Sequence, residues 1–195
     1  MVRRTRADMQ ETRATLLATA RKVFSEEGYA ATSMDELTAQ AGLTRGALYH
    51  HFGDKRGLLA AVVAQIDEEM DTRLVSISSA AKDPWEGFGN RCRAYLEMAM
   101  EPEYQRIVLR DAKAVLGGAT PESQQHCVES MRRQLQELVR QGTLVQVDAQ
   151  VLASLIYGSL AEAAFWIADG EHGDNRLDRA ITALAFLLSG LRAKP

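Results

Sequence analysis

SMDELTAQAGLTRGALYHHFGDK, residues 33–55, is the stretch that decides how this chain is read. Ser33 stands where it can cap a first short helix, and Glu36 three residues later completes a capping box. Leu37 and Ala41 give that helix an apolar face, and Gly42 supplies the left-handed residue that ends it. Leu43 then turns inward, and Thr44 caps a second helix starting at Arg45. Two short helices joined by a tight glycine-containing turn form a helix-turn-helix, whose second helix enters the major groove of DNA.

That second helix is too short and too polar to serve a core alone. Leu48 and Phe52, four residues apart, anchor one side, while Thr44, Arg45, Tyr49, His50 and His51 project from the rest. An arginine can meet guanine in bidentate fashion, and hydroxyls and imidazoles reach phosphates or base edges. Asp54 caps the next helix and leaves Lys55 in its first turn. A lysine there opposes the helix dipole, a cost that makes sense if it meets a phosphate. The DNA-binding candidates are therefore Thr32, Ser33, Thr44, Arg45, Gly46, Tyr49, His50, His51 and Lys55. Arg45 is assigned a base edge, Thr44, Tyr49, His51 and Lys55 phosphates or flanking bases, and Thr32 and Ser33 the backbone through hydroxyl and amide.

Charge follows the same division. The chain has 195 residues and a formal net charge of −3, which by itself argues against nucleic acid. Residues 1–57, however, hold nine Lys and Arg against seven Asp and Glu, while residues 58–195 hold fourteen against nineteen. Arg3, Arg4 and Arg6 concentrate the excess in an N-terminal arm, read either as a minor-groove or phosphate extension or as a solubilising tail. Composition is that of an ordinary globular protein, with 46% apolar and 25% charged residues. The sequence offers no long uncharged apolar run and no signal-peptide core, so the expectation is a cytoplasmic protein without a membrane partner. Cys92 and Cys127 lack metal-ligand spacing and read as buried thiols, a redox pair being the alternative.

The spacing predicts an all-α chain of about nine helices, with residues 1–53 as a three-helix DNA-binding domain and 54–195 as a helical ligand-binding and dimerisation domain. The first helix runs from about Asp8 to Glu27, with Leu16, Leu17, Ala20, Val23 and Phe24 inward. The fourth runs from Asp54 to near Ser79 on Leu58, Leu59, Val62, Val63, Ile66, Met70 and Leu74. Asp83-Pro84 and Thr120-Pro121 open the fifth and seventh in cap-then-proline fashion. Pro102 breaks the fifth, and a sixth segment follows until Gly117-Gly118. Asp148 caps the eighth and Asp174 the ninth, after a polar linker that includes His172 and Gly173.

Helices four to eight gather large and polarizable side chains, as a helical ligand chamber would. The pocket candidates are Trp85, Phe88, Tyr95, Met98, Tyr104, Arg110, His126, Tyr157, Glu162, Phe165 and Trp166. A plain core is the competing reading of the apolar members, and a surface pair that of Arg110-Asp111. On the last two helices, Leu152, Ile156, Ser159 and Ala163, with Leu177, Ile181, Leu184, Leu188 and Leu191, recur at three and four residues. The eighth is apolar nearly all round and so needs cover on more than one side. No phosphate loop or nucleophile elbow is present, Glu122 and His126 lack a third metal ligand, and Cys127 points away from His126 on a helix. Neither an enzyme nor a cofactor is expected.

The run AGLTRGALYHHFGDK (41–55), with Ala20-Arg21-Lys22-Val23-Phe24, Gly28-Tyr29 and Thr32-Ser33-Met34 before it, resembles the signature of the TetR family of bacterial one-component transcriptional regulators. The resemblance covers the first third of the chain; Thr38 and Arg56 are its departures. It implies a homodimer joined by a four-helix bundle of the last two helices and a near-palindromic double-stranded operator. It also implies an unidentified small-molecule effector whose binding moves the fourth helix and changes the spacing of the two headpieces. A ligand-responsive repressor is the expectation. The alternatives are a helical ligand-binding protein with a vestigial headpiece, or an effector-independent activator.

Overall fold

Arg6–Glu27 (α1), Met34–Gln40 (α2), Arg45–Phe52 (α3), Lys55–Ser79 (α4), Pro84–Met98 (α5), residues 102–116 (α6), Pro121–Arg140 (α7), Ala149–Ala168 (α8) and Arg176–Ser189 (α9) form the framework. The computed structural model describes residues 6–118, 121–171 and 174–193. Expectations placed on Arg3, Arg4, Thr120, His172, Gly173 and the Glu122 side chain fall outside the described residues. The all-α expectation holds: extended pairing among the described residues is one isolated antiparallel bridge between Leu144 and Arg192.

Local chemistry starts most helices as the sequence predicts. Ser33 accepts from the Glu36 amide, Thr44 from Ala47, Asp54 from Gly57, Asp83 from Glu86, and Asp148 from both Gln150 and Val151. These contacts satisfy amides that have no partner inside the helix. Gly42, at φ +64°, makes the left-handed exit between α2 and α3. The ninth helix departs from expectation. Its N-cap position is Asn175, whose side chain caps nothing, and Asp174 instead accepts from Arg176 Nε and the Glu171 amide.

The sixth helix is irregular. An α-turn at Pro102–Tyr104 widens into a π-helical stretch, Gln105–Ala112, and returns to α geometry at Lys113–Leu116. The wider winding buries Ile107, Leu109 and Ala112 together, which simple 3.6-residue spacing does not predict.

Two compact units emerge, Met1–Ile66 with Gln105–Ala119, and Asp67–Tyr104 with Thr120–Pro195. The first thus takes in more than residues 1–53, including the start of α4 and most of α6. Its core is Leu16, Ala20, Val23 and Phe24 of α1, Leu37 of α2, Leu48 of α3, Leu58, Leu59 and Val62 of α4, and Ile107 of α6, all essentially inaccessible to solvent. The π stretch holds the turn after α1: Asp111 accepts from the Tyr29 amide at 2.7 Å, and Arg106 donates to the Glu27 carbonyl at 2.6 Å. The Arg106 guanidinium lies where a side chain on Gly28 would go.

The second unit packs α5, α7, α8 and α9 around Phe88, Leu96, Met98, Leu135, Leu138, Ala153, Leu160 and Ala164. Its eighth helix is long and apolar enough to cross a membrane by length and composition, an exception to the expectation that no such segment exists. Both of its faces are apolar. Leu152, Ile156, Leu160, Ala164 and Ile167 are buried, while Val151, Leu155, Gly158, Glu162 and Trp166 occupy the opposite, exposed arc.

Candidate nucleic-acid interface

α3 advances about 100° per residue, so its exposed and buried positions define two faces. Arg45, Gly46, Tyr49 and His50 share the exposed arc, while Ala47 and Leu48 are buried with His51 and Phe52 half-buried behind them. Thr44, the N-cap, is exposed beside that arc, and its hydroxyl oxygen is engaged by the Ala47 amide. His50 thus points outward. His51, to which a phosphate was assigned, lies on the inward side, its ring 5.3 Å from His50 and 6.2 Å from Phe52. The α3 hydrophobic anchor is completed by Arg13, whose guanidinium sits 5.3 Å from the Phe52 ring.

Arg45 is held by two neighbours, Asp35 and Tyr49. Its Nη1 donates to both Asp35 carboxylate oxygens at 2.9 and 3.1 Å. Its Nη2 donates to the Tyr49 hydroxyl at 3.2 Å, and the guanidinium lies 5.5 Å from that ring's centre. The Tyr49 hydroxyl first, and then Asp35, push the guanidinium pKa above its ordinary value. Asp35 escaped the sequence reading because its partner lies across a turn, where helical periodicity carries no signal.

Two of the assigned residues, Thr32 and Lys55, are engaged by the fold. Thr32 is buried, and its hydroxyl donates to the Gly28 carbonyl at 2.7 Å while its amide bonds the same oxygen, so its donors serve the fold. Lys55 is half-buried, 4.5 Å from the centre of the Tyr29 ring and 3.5 Å from the Ala30 carbonyl. Desolvation lowers its pKa, so the ammonium answers to protein as well as to solvent. Arg56 is committed to the Val115 carbonyl at 3.3 Å. Ser33 stays half-buried at the start of α2 with its oxygen used as the cap.

In the second unit the pocket candidates separate into an interior and an outer group. Phe88, Tyr95, Met98 and Tyr104 are buried, with Tyr157 and Phe165 half-buried. Tyr95 and Tyr104 share a hydrogen bond, and burial pushes both phenols well up and Tyr157 up to about 12. Beside them stand groups the sequence reading missed. Asp67 accepts from Ser123 at 2.6 Å, and burial, outweighing that hydrogen bond, raises its carboxyl pKa. Arg91, 1% exposed, donates to Asp71 at 3.0 Å and Ser130 at 2.9 Å. A buried arginine in a mostly apolar helix has no periodic signature; only the requirement for a buried counterion could have pointed to it.

The outer group comprises Trp85, Glu162, Trp166 and His126. Trp85 lines a cleft of about 300 Å³ with Ile181, Leu184 and Leu188, under Arg192. Trp166 borders a second cleft of about 340 Å³ between α5, α8 and α9, and is flanked by Arg176 and Arg179 at 5.2 and 5.3 Å. Glu162 lies with it on an open surface groove. His126 is exposed and 3.2 Å from Asp71. Arg110 is exposed and belongs to the first unit, so it is not part of the interior group of the second. Cys92 and Cys127 are free thiols whose pKa values burial raises to about 12 and about 11, the reverse of what a redox sensor needs.

The predicted pairing seam is likewise split. Leu152, Ile156 and Leu188 are core residues, and Leu177, Ile181, Leu184, Leu191 and Ala163 are half-buried, leaving Ser159 exposed. The exposed apolar surface is instead Val151, Leu155 and Trp166 on α8 with Phe186 and Leu187 on α9, the last two 79% and 60% accessible. Periodicity identified two apolar arcs on α8 without telling which one faces in.

Comparison with known proteins places the whole arrangement. Residues 16–62 match the family model for bacterial regulatory proteins of the tetR family, and residues 85–191 match a tetracyclin repressor-like C-terminal domain. The chain belongs to the TetR family and is a helix-turn-helix, DNA-binding transcriptional regulator of the repressor type. The crystal structure of a TetR-family transcriptional regulator from Pectobacterium atrosepticum is 73% identical, with a TM-score of 0.93 over 98% of this chain and 100% of that one. The transcriptional repressor BepR of Brucella suis is 27% identical over 98% of this chain and 97% of its own length. The regulator TtgR of Pseudomonas putida is 41% identical over 71 residues, 36% of this chain and 34% of that protein.

Proposed function

We propose that a cytoplasmic homodimer of this chain represses transcription by setting the exposed arc of α3 into the major groove of a near-palindromic operator. The observation that carries this reading is the outward grouping of Arg45, Gly46, Tyr49 and His50 on a helix whose other face is anchored in the core. Arg45 reads a base edge. Tyr49, His50 and Thr44 meet phosphates or flanking bases, and Gly46 lets the backbone approach closely. Ser33 offers an α2 N-terminus to the phosphate backbone. Residues 1–53 carry the DNA contacts and the remainder carries effector binding and pairing.

Pairing uses Leu155 and Trp166 of α8 with Phe186 and Leu187 of α9, since an apolar surface this large on a helix pair calls for cover. Two linked half-sites multiply the modest affinity of one helix-turn-helix. A small-molecule effector binds in the second unit near Tyr95, Tyr104 and Tyr157. It weakens operator binding to the extent that it prefers the form of the dimer that does not bind. The chemistry of the effector is open to screening once an operator probe exists.

The test is selection of bound sequences from random duplex DNA by the purified protein with no added ligand. A near-palindromic motif with two equal half-sites is the expected result. Failure to recover any motif at low salt would overturn the reading and leave the helical unit as a ligand-binding protein with a vestigial headpiece.

A further inference from the structure

We propose that Asp35 is a positioning residue for sequence reading, holding the Arg45 guanidinium in the orientation from which it meets its base. The inference rests on the assignment of Arg45 to a base edge. Arg45 is the first residue of α3, and that helix has no acidic residue in its first turn. A cation there faces the positive end of the helix dipole and is electrostatically out of place. Asp35, ten residues earlier in the first turn of α2, reaches across the turn and supplies the missing counter-charge. Its position in α2 would by itself justify a carboxylate, but not the contact of both oxygens with one arginine nitrogen.

The pair is exposed, with 55% and 70% of the two side chains accessible, so it contributes little to stability. Its effect is on geometry. An arginine side chain loses rotamer freedom when it docks, and one already held by a carboxylate and by the Tyr49 hydroxyl loses less. A guanidinium has five N–H donors, and these contacts leave enough of them for a guanine O6 and N7. Asp35 also repels phosphate, so the pair disfavours the backbone as an alternative partner for Arg45 and raises the share of its charge spent on a base.

The experiment runs wild type, Asp35→Asn, Arg45→Ala and the double variant through the same selection, then titrates each against the selected and a scrambled duplex. Asp35→Asn is expected to flatten one position in each half-site and to bind scrambled DNA more tightly, with a salt slope steeper by about one. In the Arg45→Ala background the same substitution is expected to change no base preference. If Asp35→Asn keeps that position as sharp as wild type while both duplexes gain affinity equally, Asp35 is a repelling charge only and the proposal falls. If Arg45→Ala leaves every position intact, the base assignment itself falls, and the proposal with it. A variant that merely misfolded would lose affinity for both duplexes rather than one base position.

Discussion

A carboxyl and a guanidinium placed in different surroundings behave differently at the scale of single residues. Arg45 stands exposed with its charge answered by Asp35 and Tyr49, so it stays charged and available. Asp67 is half-buried beside Ser123, and the loss of solvent around its carboxyl lifts its pKa above the usual carboxylate value. A carboxyl with a raised folded-state pKa binds its proton more tightly in the native state. It therefore costs stability that is absent below the unfolded pKa and grows as pH rises through the folded one. Asp67→Asn, which keeps an acceptor for Ser123, should match wild type in urea unfolding at pH 3 and exceed it at pH 8. Equal midpoints at both pH values would mean that the carboxyl is solvated in the native protein. Thr32 carries the opposite lesson. The motif placed it among the DNA contacts, but its hydroxyl is spent on Gly28, a fact set by the packing of the turn after α1 and invisible in a local pattern.

At the scale of elements, most of the architecture was legible because caps and breakers are local. Ser33, Thr44, Asp83 and Asp148 act where the sequence puts them, and the inner stripes of α1 and α4 are buried as their spacing implies. What could not be read was long-range: the π stretch of α6 and its hold on the α1 turn through Arg106 and Asp111. The conformation of Gly28, φ +86° with the Arg106 guanidinium over it, makes that hold testable. Gly28→Ala should destabilise the protein by about 1–2 kcal/mol through the left-handed backbone alone, and further through collision with Arg106. Adding Arg106→Ala should recover only the collision part of the loss in thermal melts. A double variant as stable as wild type would show that the backbone conformation carries no strain for alanine.

At the scale of the whole molecule, the eighth helix carries the proposal that the chain pairs with a second copy. One arc fills the second unit's core and the other presents Leu155, 64% accessible, while α9 exposes Phe186 and Leu187. Sequence periodicity singled out the last two helices but placed the core residues Leu152, Ile156 and Leu188 in the seam, since on a helix apolar all round the two arcs differ only in context. The two arcs make opposite predictions. Leu155→Glu or Phe186→Glu should give folded monomers by analytical ultracentrifugation with weakened operator binding. Leu188→Glu, 7% exposed, should lose the fold instead. Dimers that survive both outer substitutions would move the interface elsewhere.

Reading by α3 is tested most directly by titrating wild type and Arg45→Ala side by side against the selected duplex and a scrambled one at fixed salt. Loss of about 1–3 kcal/mol on the selected duplex, with scrambled binding little changed, is the predicted result. Equal loss on both duplexes would contradict it and reduce Arg45 to a phosphate contact.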